Sequence, residues 1–208
     1  MRLPPYNTFE ASYRLFQTVE YWPEGTTFVS VVDPGVGSSR KSVVALTKTG
    51  QYIVTPDNGT LSYIKKVVGI EVVREISEVE NRRSNTELSY TFHGRDVYAY
   101  TGAKLSSGHI SFEEVGPELP VDKILELPVV ETIIEDSLVR GAIDILDVRF
   151  GSLWTSITRD DFYALEPNFG DRFEVTIFNN DMLVYQNQVT YGKSFADVRI
   201  GQPIIYIN

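Results

Sequence analysis

Cysteine is absent from this chain, and histidine occurs only twice, at His93 and His109. Without cysteine there is no disulfide framework and no thiolate metal site, and two histidines so far apart in sequence are a poor basis for a metal centre. Basic residues are also scarce, because 19 Lys and Arg stand against 28 Asp and Glu, giving a formal net charge of −9. We therefore expect no nucleic acid partner, since binding a phosphate backbone needs clustered Lys and Arg.

Long hydrophobic runs are absent as well. No run approaches the length of a membrane span, and the amino terminus MRLPPYN lacks the apolar core of a signal peptide. We therefore expect a cytoplasmic protein with no membrane partner. The 208 residues are 42% hydrophobic and 12% aromatic, which is enough for a packed core in one large domain or two small ones.

The first part of the chain alternates predicted helices and strands. Apolar runs predict strands in TTFVSVVD, SVVALT and QYIVTP and at residues 70–75. Helical periodicity predicts a helix over 8–20, a short helix over 59–66 and a third helix over 95–107. Such alternation is typical of an α/β domain with a mostly parallel sheet.

The pattern changes near residue 118. From Pro120 onward, strand-like runs follow one another with turn residues between them and little helical periodicity. The change predicts an α/β domain over residues 1–118 and a smaller all-β domain over residues 119–208, with GPELPVD as the linker.

The segment VVDPGVGSSR, residues 31–40, is the first candidate site. Pro34 favours an extended Asp33 at the end of a predicted strand, and the glycines permit a tight turn that returns Arg40 towards it. Open α/β sheets bind ligands at the carboxyl ends of their strands. The pair is therefore either part of a site or a salt bridge that closes a loop. A phosphate cradle is disfavoured, because the Walker spacing and its lysine are missing.

Two further segments combine residue types that suit a site. In TFHGRD, His93 precedes a predicted helix, where it either faces a ligand or has a structural role. In DVRFGSLWTSI, residues 147–157, an acid, aromatic side chains and small polar side chains surround a predicted turn. The alternative for this second segment is a core hairpin with Trp154 buried.

Taken in order, FVSVVDPGVGSSR, PDNG, TFHGRD, DVRFGSLWTSI and SFADVRIGQPIIYIN resemble the S-adenosylmethionine hydroxide adenosyltransferase family, whose relatives include fluorinase and chlorinase. The resemblance covers almost the whole chain. It implies an amino-terminal α/β domain, a carboxy-terminal β-barrel-like domain and a homotrimer with active sites between one subunit's first domain and a neighbour's second. The implied reaction is hydrolysis of S-adenosyl-L-methionine to adenosine and L-methionine, with no cofactor and no metal.

The resemblance also implies roles for individual residues. The family's water-holding Asp, Arg and His correspond to Asp33, Arg40 and His93. Five residues of the second domain are implied to bind the substrate, Asp147 and Ser152 at its methionine part and Trp154, Phe195 and Asn208 at its adenosine part. Ser152 stands where the family usually has asparagine.

Two other functions stay open at this level. A halide-using synthase would make 5′-halo-5′-deoxyadenosine, but a carboxylate such as Asp33 facing the anion disfavours it. A non-catalytic nucleoside-binding remnant is the other alternative, because the resemblance implies family segments before the first residue and after the last. We accordingly expect a chain truncated at both ends.

Overall fold

A computed structural model describes residues 5–207 of the chain. The chain divides into two compact units, residues 1–129 and 130–208. Residues 120–129 belong to the first unit through specific contacts: the Leu125 amide donates to Asp57 Oδ1 at 3.0 Å, and the Leu127 amide donates to Ser62 Oγ at 2.8 Å. The buried Ile124 joins the core of the same unit.

The first unit is built on a five-stranded sheet of order β1-β3-β2-β4-β5. Its strands are β1 (Thr27–Val29), β2 (Ser42–Thr47), β3 (Tyr52–Pro56), β4 (Ile70–Glu75) and β5 (Glu118–Leu119). Its α-helices are α1 (Thr8–Val19), α2 (Glu78–Asn81) and α3 (Tyr100–Ser106). Two π-helical segments, Ile64–Val68 and Gly94–Ala99, and two 3-10 turns, Glu113–Val115 and Val121–Lys123, complete it.

The prediction of a mostly parallel sheet is wrong. In the five-stranded sheet of the first unit, as described, only β1 and β3 pair in parallel, while β2 is antiparallel to β3 and β4, and β4 is antiparallel to β5. A parallel connection needs a crossover of a dozen or more residues, and only residues 48–51 separate β2 from β3. An apolar run shows that a strand is buried but does not show its direction.

Both faces of this sheet are covered, which makes it a rigid support for the loops at its ends. Along β2, Val43 and Ala45 pack in the cluster that includes Leu15 and Val19 of α1. The intervening Val44 packs in a second cluster with Val54, Val97 and Tyr98. Helix α1 begins after Asn7, whose side chain accepts from the Glu10 amide at 2.9 Å.

The second unit contains three small sheets. Its strands are β6 (Ile133–Glu135), β7 (Leu138–Arg140), β8 (Ile143–Asp147), β9 (Ser152–Thr155), β10 (Arg172–Asn179), β11 (Met182–Tyr191) and β12 (Ile204–Ile205). They form a β10-β11-β12 sheet and the hairpins β6-β7 and β8-β9. A short helix α4 (Arg159–Tyr163) and a 3-10 turn at Phe195–Asp197 lie between strands.

The description of the second unit as all-β and barrel-like needs correction. Residues 130–207 form no closed barrel, because their three sheets are separate. Helix α4 interrupts the strands, and the Thr158 and Asp161 side chains close a capping box at its start. Alternating strand patterns show which residues share a face, whereas closure depends on pairing between distant strands. None of the helices in residues 5–207 is long and apolar enough to cross a membrane.

Candidate functional site

The loop over residues 30–41, called the Asp33–Arg40 loop below, begins where strand β1 stops. The Ser30 amide still donates to the Val54 carbonyl at 3.0 Å, as in a continuing parallel ladder. The next hydrogen bond of this ladder would need an N–H donor at position 56 of β3, and that residue is proline, which has no N–H. The Asn58 side chain instead donates to the Val32 carbonyl at 2.9 Å. The predicted strand TTFVSVVD therefore ends at Val29, and Asp33 lies in the loop.

Two consecutive turns reverse the direction of this loop. The Val36 amide donates to the Asp33 carbonyl at 3.3 Å, and the Ser38 amide donates to the Gly35 carbonyl at 3.0 Å. Gly37 has a φ of 80°, and a Cβ there would lie 3.0 Å from the carbonyl oxygen of Tyr90. Both constraints suit glycine, which adopts positive φ at little cost.

The turns bring Arg40 onto Asp33 as a two-pronged ion pair. Arg40 Nε donates to Asp33 Oδ1 at 2.9 Å, and Arg40 Nη2 donates to Asp33 Oδ2 at 2.5 Å. The two side chains are only 10% and 5% exposed. Charge-assisted bonds in this fork geometry hold both groups in one orientation. The contact predicted from the turn residues is therefore present.

Arg40 is supported from its other side by two residues that the sequence did not single out. Its Nη1 donates to Ser42 Oγ at 2.9 Å, and Ser42 Oγ lies 3.1 Å from the Tyr98 hydroxyl. The guanidinium carbon also lies 5.6 Å from the centre of the Tyr98 ring. Burial raises the pKa of Tyr98, so its hydroxyl keeps its proton at neutral pH. The sequence offered one signal for Ser42, which is a serine at the first position of the predicted apolar strand SVVALT.

His93 completes the cluster. Its Nδ1 lies 2.9 Å from Arg40 Nη2, and its Nε2 lies 3.0 Å from Nη2 of Arg82. The residue is 7% exposed. Burial lowers the pKa of His93, and Arg40 and Arg82 lower it further against the opposing effect of Glu78 and Asp33. The imidazole is therefore neutral at physiological pH.

The cluster combines a carboxylate, a fixed guanidinium and a neutral imidazole. This set can hold a water molecule, accept its proton and stabilise the negative charge that forms on its oxygen. Within residues 5–207, no group of three or more His, Asp or Glu side chains is placed to hold a metal ion.

The second unit brings together some of the residues assigned to substrate binding. Asp147 and Ser152 face each other across the β8-β9 hairpin, and Trp154 on the same strand is half-buried opposite Ile145. Ser152 Oγ lies 3.3 Å from the hydroxyl of Tyr206, which sequence reasoning missed.

Tyr206 also reaches a second predicted residue. Its ring lies edge-on to the Phe195 ring, with the centres 5.2 Å apart. Phe195 itself is 62% exposed. Tyr206 thus connects Ser152 to Phe195 within the second unit, while Asn208 lies outside the described residues.

Comparison with known proteins identifies the chain in both units. The family profile described as SAM hydroxide adenosyltransferase N-terminal domain matches residues 1–116, and the C-terminal domain profile matches residues 141–208. The (R)-S-adenosyl-L-methionine hydrolase of Thermus thermophilus is 35% identical over 216 residues, with 99% of this chain and 73% of the relative covered. The hydrolase of the same name from Methanocaldococcus jannaschii is 34% identical over 160 residues, with 76% of this chain and 52% of the relative covered. The chain thus spans about half the length of the second relative.

More distant relatives and a solved structure agree with these matches. A fluorinase from Actinopolyspora mzabensis is 25% identical over 230 residues, covering 99% of this chain and 75% of the relative. The crystal structure of an uncharacterized conserved protein from Thermotoga maritima aligns with a TM-score of 0.86 at 34% identity, covering 96% of this chain and 72% of that one. The chain therefore belongs to the SAM hydroxide adenosyltransferase family.

Proposed function

We propose that this protein hydrolyses S-adenosyl-L-methionine to adenosine and L-methionine. The observation that carries the proposal is the contact of Arg40 with both Asp33 and His93 in one buried cluster. Support comes from the relatives named (R)-S-adenosyl-L-methionine hydrolase, which are 34% and 35% identical to this chain.

The chemistry needs a good nucleophile more than it needs an acid. The oxygen of water bonds to ribose C5′ while the C5′–S bond breaks and leaves its electron pair on sulfur, so a sulfonium becomes the neutral thioether of methionine. No proton has to be given to this leaving group. The proton that water loses passes to the carboxylate of Asp33, and Arg40 stabilises the negative charge developing on oxygen. Fixing both side chains before the reaction reduces the entropy cost of aligning water with the C5′–S bond.

Substrate binding in this proposal uses the second unit. Asp147 and Ser152 hold the methionine part, and the aromatic rings of Trp154 and Phe195 pack against the adenine. Asn208 keeps its proposed place beside the adenosine, and a homotrimer is the proposed assembly.

The products formed from S-adenosyl-L-methionine test the function directly. We expect chromatography to show adenosine and L-methionine in equal amounts, in buffer with or without chloride or fluoride. A 5′-halogenated nucleoside that appears only with halide would instead indicate a synthase, the activity for which the fluorinase relatives are named. The 5% exposed carboxylate of Asp33 disfavours that outcome, because it would repel a halide held by Arg40. Absence of turnover, with substrate binding retained, would indicate a non-catalytic binding protein.

Ser152 provides a test of the methionine pocket. We expect Ser152→Asn to tighten binding of S-adenosyl-L-methionine by about 0.5–1.5 kcal/mol, because an amide adds one net hydrogen bond that a hydroxyl lacks. Isothermal titration calorimetry measures the change. Thr155→Asn is the matched control, since Thr155 lies on the opposite face of strand β9 and is exposed. Equal affinities of the wild-type protein, Ser152→Asn and Thr155→Asn would show that position 152 does not contact the methionine part of the substrate.

A further inference from the structure

His93 lies between two guanidinium groups, and this arrangement restricts its protonation. Arg40 Nη2 approaches one ring nitrogen at 2.9 Å, and Arg82 Nη2 approaches the other at 3.0 Å. A guanidinium only donates hydrogen bonds, and it does not lose its proton in proteins. Each of the two contacts therefore needs a lone pair on the imidazole.

The neutral and protonated forms of the imidazole differ in how many of these two hydrogen bonds they can accept. A neutral imidazole has one N–H and one lone pair, so it satisfies one of the two arginines. An imidazolium has no lone pair and would place an N–H and a positive charge against each of them. Protonation of His93 therefore removes the remaining favourable contact and adds repulsion on both sides.

Arg82 is held in place independently of His93. Its Nη2 donates to Glu78 Oε2 at 2.6 Å. Glu78 is the first residue of α2 and lies four positions before Arg82. Asn81, which is completely buried, donates through its side chain to the carbonyls of Glu114 and Val115 at 3.3 Å and 3.0 Å. Helix α2 is thus fixed to the body of the first unit, and Arg82 directly follows it.

We propose that Arg82, anchored by Glu78, is a positioning residue that fixes the ring orientation of His93 and keeps it a neutral hydrogen-bonding group during the reaction. The inference rests on the proposed hydrolysis for its functional meaning. In this role His93 stays neutral, so it does not receive the proton that the attacking water loses.

The charged groups around the ring agree with this role. Burial is the largest cause that lowers the pKa of His93, and Arg40 and Arg82 lower it further, whereas Glu78 and Asp33 raise it. Glu78 has the largest effect among these charges and opposes the arginines, so burial acting together with the two guanidinium groups keeps the pKa of His93 below its ordinary value. Loss of the Arg82 charge should therefore allow His93 to gain a proton at higher pH.

The protonation of His93 can be read directly by two-bond ¹H–¹⁵N spectra of the imidazoles in ¹⁵N-labelled protein across about pH 5 to pH 8. The chain has two histidines, so His109→Asn assigns the signals. In the wild-type protein we expect one neutral tautomer of His93 that persists below the ordinary pKa of a histidine. Titration of His93 near pH 6.5 in the wild-type protein would overturn the proposal.

Two substitutions of Arg82 separate its charge from its geometry. Arg82→Gln should raise the titration midpoint of His93 by about one pH unit and give a mixture of tautomers. Arg82→Lys should keep the midpoint low but still lose the single tautomer, because an ammonium lacks the planar fork. Arg83→Gln is the matched control, because Arg83 directly follows Arg82 and its side chain is exposed. The spectrum of this variant should match that of the wild-type protein. Identical spectra for the wild-type protein and Arg82→Gln would contradict the inference.

Kinetics connect these spectra to the reaction. Arg82→Gln should lower kcat by about tenfold to a hundredfold with little change in KM, and the acidic limb of its kcat profile should move upward with the His93 midpoint. Unchanged kcat would show that Arg82 has only a structural role. The spectra need no substrate, so they remain interpretable if the proposed hydrolysis fails. If adenosine forms but His93 titrates identically in the wild-type protein and in Arg82→Gln, the inference about Arg82 is wrong while the proposed function stands.

Discussion

Asp33→Asn is expected to lower kcat for S-adenosyl-L-methionine hydrolysis by about 10²–10⁴-fold in a correctly folded protein. The amide keeps the shape of the carboxylate but loses the charge that holds the fork of Arg40 at 2.9 Å and 2.5 Å. It also cannot take the proton of the attacking water. Initial rates of adenosine formation measure the effect.

A control and a double variant distinguish catalysis from simple loop closure. Asp122→Asn changes an acid that also pairs with a neighbouring cation, Lys123, but is 74% exposed, so its rate should equal the wild-type rate. His93→Ala should lose activity as Asp33→Asn does, and the double variant should lose much less than the product of the two, because groups acting as a unit are non-additive. Near-normal kcat for Asp33→Asn would mean that the ion pair only closes the loop.

Arg40→Met is expected to reduce the free energy of unfolding of the first unit by about 3 kcal/mol. The substitution leaves the 5% exposed carboxylate of Asp33 without its cation, and a buried unpaired charge is costly. Adding Asp33→Asn to Arg40→Met should recover part of the loss, because the stranded charge is then removed.

The two tryptophans allow this measurement to be assigned to one unit. Trp22 lies in the first unit and Trp154 in the second, so Trp154→Phe leaves Trp22 fluorescence as the reporter of urea unfolding. Lys41→Met is the matched control: Lys41 pairs with Glu75 in the same unit, but their side chains are 45% and 34% exposed. An exposed pair contributes about 0–1 kcal/mol, so a loss as large as that of Arg40→Met would contradict the argument from burial.

Part of the candidate site was predictable because its causes are local. The proline and glycines of VVDPGVGSSR specify a turn through their own backbone preferences, and a turn of that length returns Arg40 to Asp33. The amphipathic pattern of residues 8–20 likewise predicts helix α1, which spans Thr8–Val19. His93 is different, because it lies 53 positions from Arg40 and only the resemblance to a family placed it in the same cluster.

The tertiary structure decided what depends on partners distant in sequence. Strand direction in the first sheet and the separate small sheets of the second unit follow from pairings that an apolar run does not encode. Arg82 and Tyr98 become neighbours of the site only after α2 and the helix that follows His93 have packed. By itself the sequence determined the residue types, the turn and the family, since these depend on local backbone preference and on motif order. The surroundings that set the charge of His93 were decided by packing, because burial and opposing charges arise only when separate segments meet.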